Sequence, residues 1–227
     1  VRPALAVLGV ALAFLVYRSA RAAPIDPDTG LPDIEPAAVA EDDGEQWAQG
    51  DPYAVDAAIP GDDVTNLQAF GYAVRRSEHN AADVASGADY FTFYGGGRFT
   101  GTEDHPAVTR EMRGVPLPEE WCRRLGYADG QCVSTAAGAY QFTRPTWLDV
   151  RDRGERLDFT PAGQDEGFRR LLERDGVLPL VEAGSWHDAV ARASSRWASL
   201  PGSKAGQHVR SWEFVAQAIT DGLNAQA

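Results

Sequence analysis

The sequence predicts an α+β domain, mainly helical, with one minor β-hairpin lobe. Two observations carry this. Apolar residues recur at helical spacing near residue 67 and again in several segments after residue 139. Between them, Tyr90 to Thr100 is rich in aromatic and β-branched residues and is broken by Gly95-Gly96-Gly97, which signals a hairpin with a glycine turn.

The first segment stands apart from that domain. Pro3 to Tyr17 is an uncharged run flanked by Arg2 and Arg18. As a helix it would span only ~22 Å against ~30 Å of bilayer hydrocarbon. It suits the apolar region of a signal peptide, and Ala20-Arg21-Ala22 fits the small-x-small rule for cleavage. The competing reading is an uncleaved signal anchor, similar to the signal-arrest-release segments of some phage lysis enzymes. Either way, residues 1–23 are assigned to export across the inner membrane and excluded from the fold.

Residues 24–63 form the second segment. Pro24 to Asp63 holds twelve acidic residues and no Lys or Arg. The whole chain carries 33 acidic and 21 basic residues, for a net charge of −12, so this stretch accounts for all of it. Its charges repel, its six prolines break helices, and it has few large apolar groups besides Trp47 and Tyr53. It reads as an extended, disordered acidic linker. As a flexible coil it would average ~35 Å of reach.

Residues 64–227 are the expected folded domain. Leu67, Phe70, Val74 and Ser77 place a helix over 66–77, with Asp63 or Thr65 as cap and Glu78 at its end. Asp104-His105-Pro106, Pro116 and Pro118 mark a loop. Further helices are expected over Tyr140 to Arg153, Pro161 to Asp175, His187 to Trp197 and Val209 to Leu223. Thr160 would cap the second of these, with Pro161 in its first turn.

Composition removes some functions. At 44% apolar and 24% charged the chain is ordinary for a globular protein. Nucleic-acid binders need a basic face, so no nucleic-acid partner is expected. Four histidines without HxxxH spacing and two cysteines without CxxC spacing make a zinc site unlikely, and no cofactor is expected. No GxSxG elbow and no Walker loop occur. Cys122 and Cys132 flank a turn-rich stretch. In an oxidising periplasm they would close a short loop worth roughly 2–3 kcal/mol; the alternative is two free thiols.

Two places offer chemistry. Glu78 lies among Arg75, Arg76, Ser77 and His79 and would serve as a proton donor if apolar surroundings raised its pKa. The plain alternative is a surface carboxylate paired with an arginine. Ser134-Thr135-Ala136-Ala137-Gly138-Ala139-Tyr140-Gln141-Phe142 joins small residues to a polar-aromatic pair, which suits a cleft for a sugar ring. It equally suits a tight loop packed on a helix.

From about Leu67 to His208 the chain resembles the lambda-type phage endolysins, glycoside hydrolases that act as lytic transglycosylases on bacterial peptidoglycan. The resemblance rests on Ser77-Glu78, Tyr90 through Gly95-Gly96 to Phe99-Thr100, Asp104-His105-Pro106, Ser134-Thr135 through Ala137-Gly138 to Tyr140-Gln141, and Trp147. Asp158-Phe159-Thr160-Pro161, Gln164-Asp165, Trp197-Ala198-Ser199-Leu200-Pro201-Gly202 and Gln207 complete it in the same order. It implies a lysozyme-like fold, with a helical lobe and a small β-lobe flanking a sugar cleft. It implies that Glu78 is a lone acid/base, with Tyr140 and Gln141 lining the cleft and Tyr90, Ser134 and Thr135 shaping it. The expected partner is the peptidoglycan glycan strand, met by a monomer in the periplasm or cell envelope. Phe91 and Ala205 depart from the family pattern, and the insert holding Cys122 and Cys132 has no counterpart in it. The alternatives are a hydrolytic muramidase and a non-catalytic peptidoglycan-binding module. A membrane-tethered structural protein would explain the first 63 residues but not the ordered motifs.

Overall fold

The computed structural model describes residues 63–124, 127–128, 132–204 and 209–225. The expected leader and nearly all of the acidic linker lie outside the described residues, as do Ala205 and Gln207. Asp63, read as the last linker residue, begins the first helix, α1 (Asp63–Glu78). Among the described residues no helix is long and apolar enough to cross a membrane.

Helix α1 runs through the middle of the domain. Its Ala69, Phe70, Ala73 and Val74 are all fully buried. One side packs on α9 (Trp212–Asn224), where a Cβ at Gly222 would sit 2.8 Å from the Ala69 Cα. Glycine therefore sets how closely these two helices approach. Another side meets α6 (Pro161–Arg174) and α7 (Leu178–Glu182), and α8 (Trp186–Ala193) packs behind α7. The Thr160 hydroxyl accepts from Gly163 N and caps α6, with Pro161 in the first turn as the sequence indicated.

Rings fill the space between α1, α6 and α5 (Arg144–Arg151). Phe168 of α6 stacks on Tyr140 at 4.2 Å between ring centres and also meets Phe70 and Trp197. Trp147 of α5 packs between Phe142 and Phe159.

The β-lobe differs from the expected hairpin. A 3-10 turn over Ala88–Phe91 replaces its first strand, because the Thr92 amide bonds back to Asp89. Only a Thr92–Arg98 bridge and single contacts on either side remain of the pairing. The two-stranded antiparallel sheet instead joins β1 (Val115–Pro116) to β2 (Val133–Ser134), a pairing the prolines had marked as loop. Short helices also appear that periodicity had not revealed: α2 (Ala81–Ser86), α3 (Pro106–Thr109) and α4 (Glu119–Arg124). Between β1 and β2, Cys122 and Cys132 form a disulfide with Cα atoms 5.7 Å apart. With Leu117 they make a small apolar cluster separate from the main core.

The helix expected over 140–153 starts later, at Arg144. Ala137 and Phe142 exchange two backbone hydrogen bonds of 2.9 Å, which close Gly138 to Gln141 into a turn. Gly138 has φ +78° and Gln141 φ +49°, so neither conformation continues a helix. Pro145 then sits in the first turn of α5.

Two buried polar groups fasten this frame. Asp104 accepts from Trp147 Nε1 at 2.7 Å and His105 N at 2.8 Å, and it binds Arg151 and Arg156. Burial works to raise its pKa, but those donors and guanidinium groups hold it below the usual carboxylate range. His105, fully buried, donates from Nε2 to Phe142 O at 2.8 Å and accepts at Nδ1 from Ala107 N. Both bonds use the neutral imidazole, and burial pushes its pKa down to about 4.

Folded His105 thus stays neutral while the unfolded chain takes up a proton. Its contribution is complete above the unfolded pKa of about 6.5 and is lost as pH falls toward about 4, an effect of about 3 kcal/mol. Thermal unfolding followed between these pH values should show a falling midpoint. The His105→Gln variant, which cannot titrate, should show a shallower fall; identical slopes would rule out this origin.

Candidate active site

Glu78 ends α1, and a closed circuit of contacts surrounds it. Next to it, His79 donates from Nε2 to Gly138 O at 3.2 Å. Gln141 Nε2 donates to the same carbonyl at 2.9 Å and to Thr92 O at 3.3 Å. Trp197 Nε1 donates to Tyr140 O at 3.0 Å. Two residues on, the Ser199 hydroxyl donates to Glu78 Oε1 at 2.5 Å. Arg210 N bonds Ser199 O, and Arg210 Nε reaches Ser77 O. The end of α1, the Gly138–Gln141 turn and the segment after α8 therefore meet at one place.

Glu78 is half-buried, and loss of water is the main influence on it, raising its carboxyl pKa. The Ser199 hydrogen bond and the Arg210 charge oppose that rise without cancelling it. A carboxyl in this setting holds its proton to higher pH than a surface glutamate does. The alternative, a surface ion pair, is not formed among the described residues: Arg75 turns to Asp89 instead, with bonds of 2.6 and 3.0 Å. Burial also lowers the pKa of His79, which favours its neutral form.

The other predicted residues divide. Gln141 lies on the circuit. Tyr90 and Tyr140 come together, their rings edge-to-face and both hydroxyls donating to Asp165 Oδ1 at 2.7 Å. Their rings line a cavity of about 500 Å³ between α1 and α6, whose lining does not include Glu78. Burial and the Asp165 carboxylate raise both phenol pKa values. Ser134 and Thr135 are fully buried. The Ser134 hydroxyl accepts from Ala136 N, and the Thr135 hydroxyl accepts from Arg144 N at 2.8 Å. Both bonds flank the Gly138–Gln141 turn. Ser199 and Arg210 were not singled out in the sequence; the one signal was the Trp197-to-Gly202 block. Among the described residues, no group of three His, Cys, Asp or Glu is placed to hold a metal ion.

A family model described as endolysin matches residues 68–222. The chain belongs to the endolysin family. The endolysin of Escherichia phage lambda is 32% identical over 118 residues, covering 52% of this chain and 65% of that protein. The endolysin of Escherichia phage P2 is 38% identical over 114 residues, covering 50% of this chain and 68% of that one. The chain thus spans just under two thirds of the lambda relative. Among solved structures, bacteriophage lambda lysozyme complexed with a chitohexasaccharide superposes with a TM-score of 0.55 at 27% identity, covering 70% of this chain and 94% of that one. A second structure of lysozyme from bacteriophage lambda gives 0.50 at 27% identity, covering 71% and 93%. The endolysin domain is therefore α+β and lysozyme-like.

Within this endolysin, Gly138 ties the circuit to the core. A Cβ there would lie 2.2 Å from Gln164 Oε1, and its backbone is left-handed. Gly138→Ala should destabilise the domain by about 2–4 kcal/mol, read from urea unfolding. A change below about 0.5 kcal/mol would show that the turn relaxes freely.

Proposed function

We propose that the chain is a peptidoglycan lytic transglycosylase in which Glu78 acts alone as acid and base. The observation that carries this reading is the half-buried Glu78 carboxyl, its pKa raised by burial and its Oε1 held by Ser199, at the end of α1 in a lysozyme-like domain. Membership of the endolysin family supports a cell-wall substrate. The lambda lysozyme bound to a chitohexasaccharide supports a glycan strand as ligand. The buried carboxylates Asp89 and Asp104 are each closed by arginine and are poor candidates for a second catalytic acid.

In this mechanism Glu78 gives its proton to the glycosidic oxygen between N-acetylmuramic acid and N-acetylglucosamine as the bond to the anomeric carbon breaks. The resulting carboxylate takes the proton of the muramic C6 hydroxyl, whose oxygen bonds to the anomeric carbon. A 1,6-anhydro end forms, no water is consumed, and Glu78 is protonated again. Because Ser199 donates to Oε1, the transferable proton belongs on Oε2. Hydrolytic glycosidases instead use two carboxyls about 5–9 Å apart. Action on the wall places the enzyme in the periplasm or envelope, with residues 1–23 as the export segment and the acidic stretch as a tether if the leader is retained.

Glu78→Gln should lower clearing of purified cell walls by at least about 10²–10⁴-fold. Mass analysis of the released muropeptides should show anhydro ends; reducing ends would make the enzyme a hydrolytic muramidase. Ser199→Ala removes an interaction that lowers the Glu78 pKa. A general acid loses activity as pH rises through its pKa, so the alkaline limb of the pH–rate profile should move to higher pH. An unmoved limb would separate Ser199 from the proton donor.

A further inference from the structure

Most arginines of the domain are matched to a carboxylate. Arg75, Arg98, Arg151, Arg153, Arg156, Arg169, Arg170, Arg174 and Arg196 all form ion pairs. Arg113, Arg144 and Arg192 form none with a described residue, and neither do two arginines near the candidate acid. Arg76 and Arg210 make no ion pair with any described residue: Arg76 donates to the Tyr72 hydroxyl and Arg210 to a backbone carbonyl. Both guanidinium groups bracket one ring: Arg210 lies 4.8 Å and Arg76 5.7 Å from the centre of Phe214.

Arg210 is held on three sides. Its backbone amide bonds Ser199 O at 2.8 Å, its Nε bonds Ser77 O at 3.3 Å, and its guanidinium lies over Phe214. Nε is therefore engaged, whereas no described residue bonds the two terminal nitrogens of the fork. A guanidinium fixed in this way meets a carboxylate through two parallel N–H bonds with little further loss of freedom. The position matters as much as the charge. Ser199, bonded to Arg210 through the backbone, is the residue whose hydroxyl holds Glu78. The Arg210 charge is also felt at the Glu78 carboxyl, so a group bound at this fork would lie near that carboxyl.

We propose that Arg210, backed by Phe214 and Arg76, forms a subsite for a substrate carboxylate, the class carried by the peptide stems attached to muramic acid. The inference rests on the peptidoglycan reading above and narrows it. The preferred substrate is a glycan strand that still bears its acidic peptides, rather than a bare amino-sugar polymer. Arg76 adds positive potential along the same ring, so the attraction weakens as salt rises.

The test is calorimetric binding to the Glu78→Gln protein, which removes turnover from the measurement. Two probes are compared: muramic-acid-containing oligosaccharides bearing tetrapeptide stems, and the same strands after an amidase has removed the stems and the lactyl carboxylates so exposed have been converted to neutral amides. Stem-bearing strands should bind about tenfold more tightly. Arg210→Gln in the same background should bring that ratio near one, and Arg210→Lys should restore part of it. Without any change at Arg210, raising salt from about 50 to about 300 mM should weaken stem-bearing strands more than stripped ones. Equal affinity for the two probes, or a ratio that survives Arg210→Gln, would overturn the subsite. Wall clearing by Glu78→Gln is read separately. If clearing persists while the ratio behaves as described, the catalytic assignment fails and the subsite stands.

Discussion

A single buried carboxamide joins three parts of the chain. Gln164, fully enclosed in α6, accepts from Ala139 N at 2.9 Å and donates to Tyr90 O at 3.0 Å and Phe159 O at 2.9 Å. Every one of these groups would otherwise be a polar atom without water, so the three bonds form together or each loss is costly. Through Ala139 the carboxamide fixes Gly138, whose carbonyl receives both His79 and Gln141. A residue that never touches Glu78 thus helps to place the carbonyl bonded by its neighbour His79. Phe168, one turn further along α6, stacks on Tyr140 and supports the other side of the same turn.

The charges follow a consistent plan around this frame. Deep carboxylates are neutralised where they lie: Asp89 by Arg75, and Asp104 by Arg151 and Arg156. Glu78 receives only a hydroxyl and a neighbouring positive charge, which leaves burial as its dominant influence. Acid/base work needs such a group, one whose two protonation states are close in energy, whereas a carboxylate locked to arginine stays ionised. Similar residue types therefore sit in opposite settings, according to what surrounds them.

The helical half of the fold was legible because its information is local. Apolar spacing and the Thr160-Pro161 start located α1 and α6, and Glu78 fell at the end of α1 as read. The β-lobe was less legible. Strands of two residues carry no periodicity, and β1 meets β2 only after an excursion that includes α4 and the disulfide. Tyr140 and Gln141 were assigned to a helix because their composition permits one. The exchange of bonds between Ala137 and Phe142, with the positive φ of Gln141, decides otherwise. Ser199 lies 121 positions from Glu78, and no pattern within either segment announces that they meet.

The cluster of Leu117, Cys122 and Cys132 shares no buried residue with the aromatic interior. Tyr94, Trp121 and Tyr127 pack on it only as partly buried rings, so the covalent link adds to what a small apolar cluster can hold. A cluster held in this way would let the amide protons of β1 and β2 exchange through openings of their own, apart from those of α1 and α6. Thiol reduction would widen that gap in protection, marking the cystine segment as the first foldon to part from the rest.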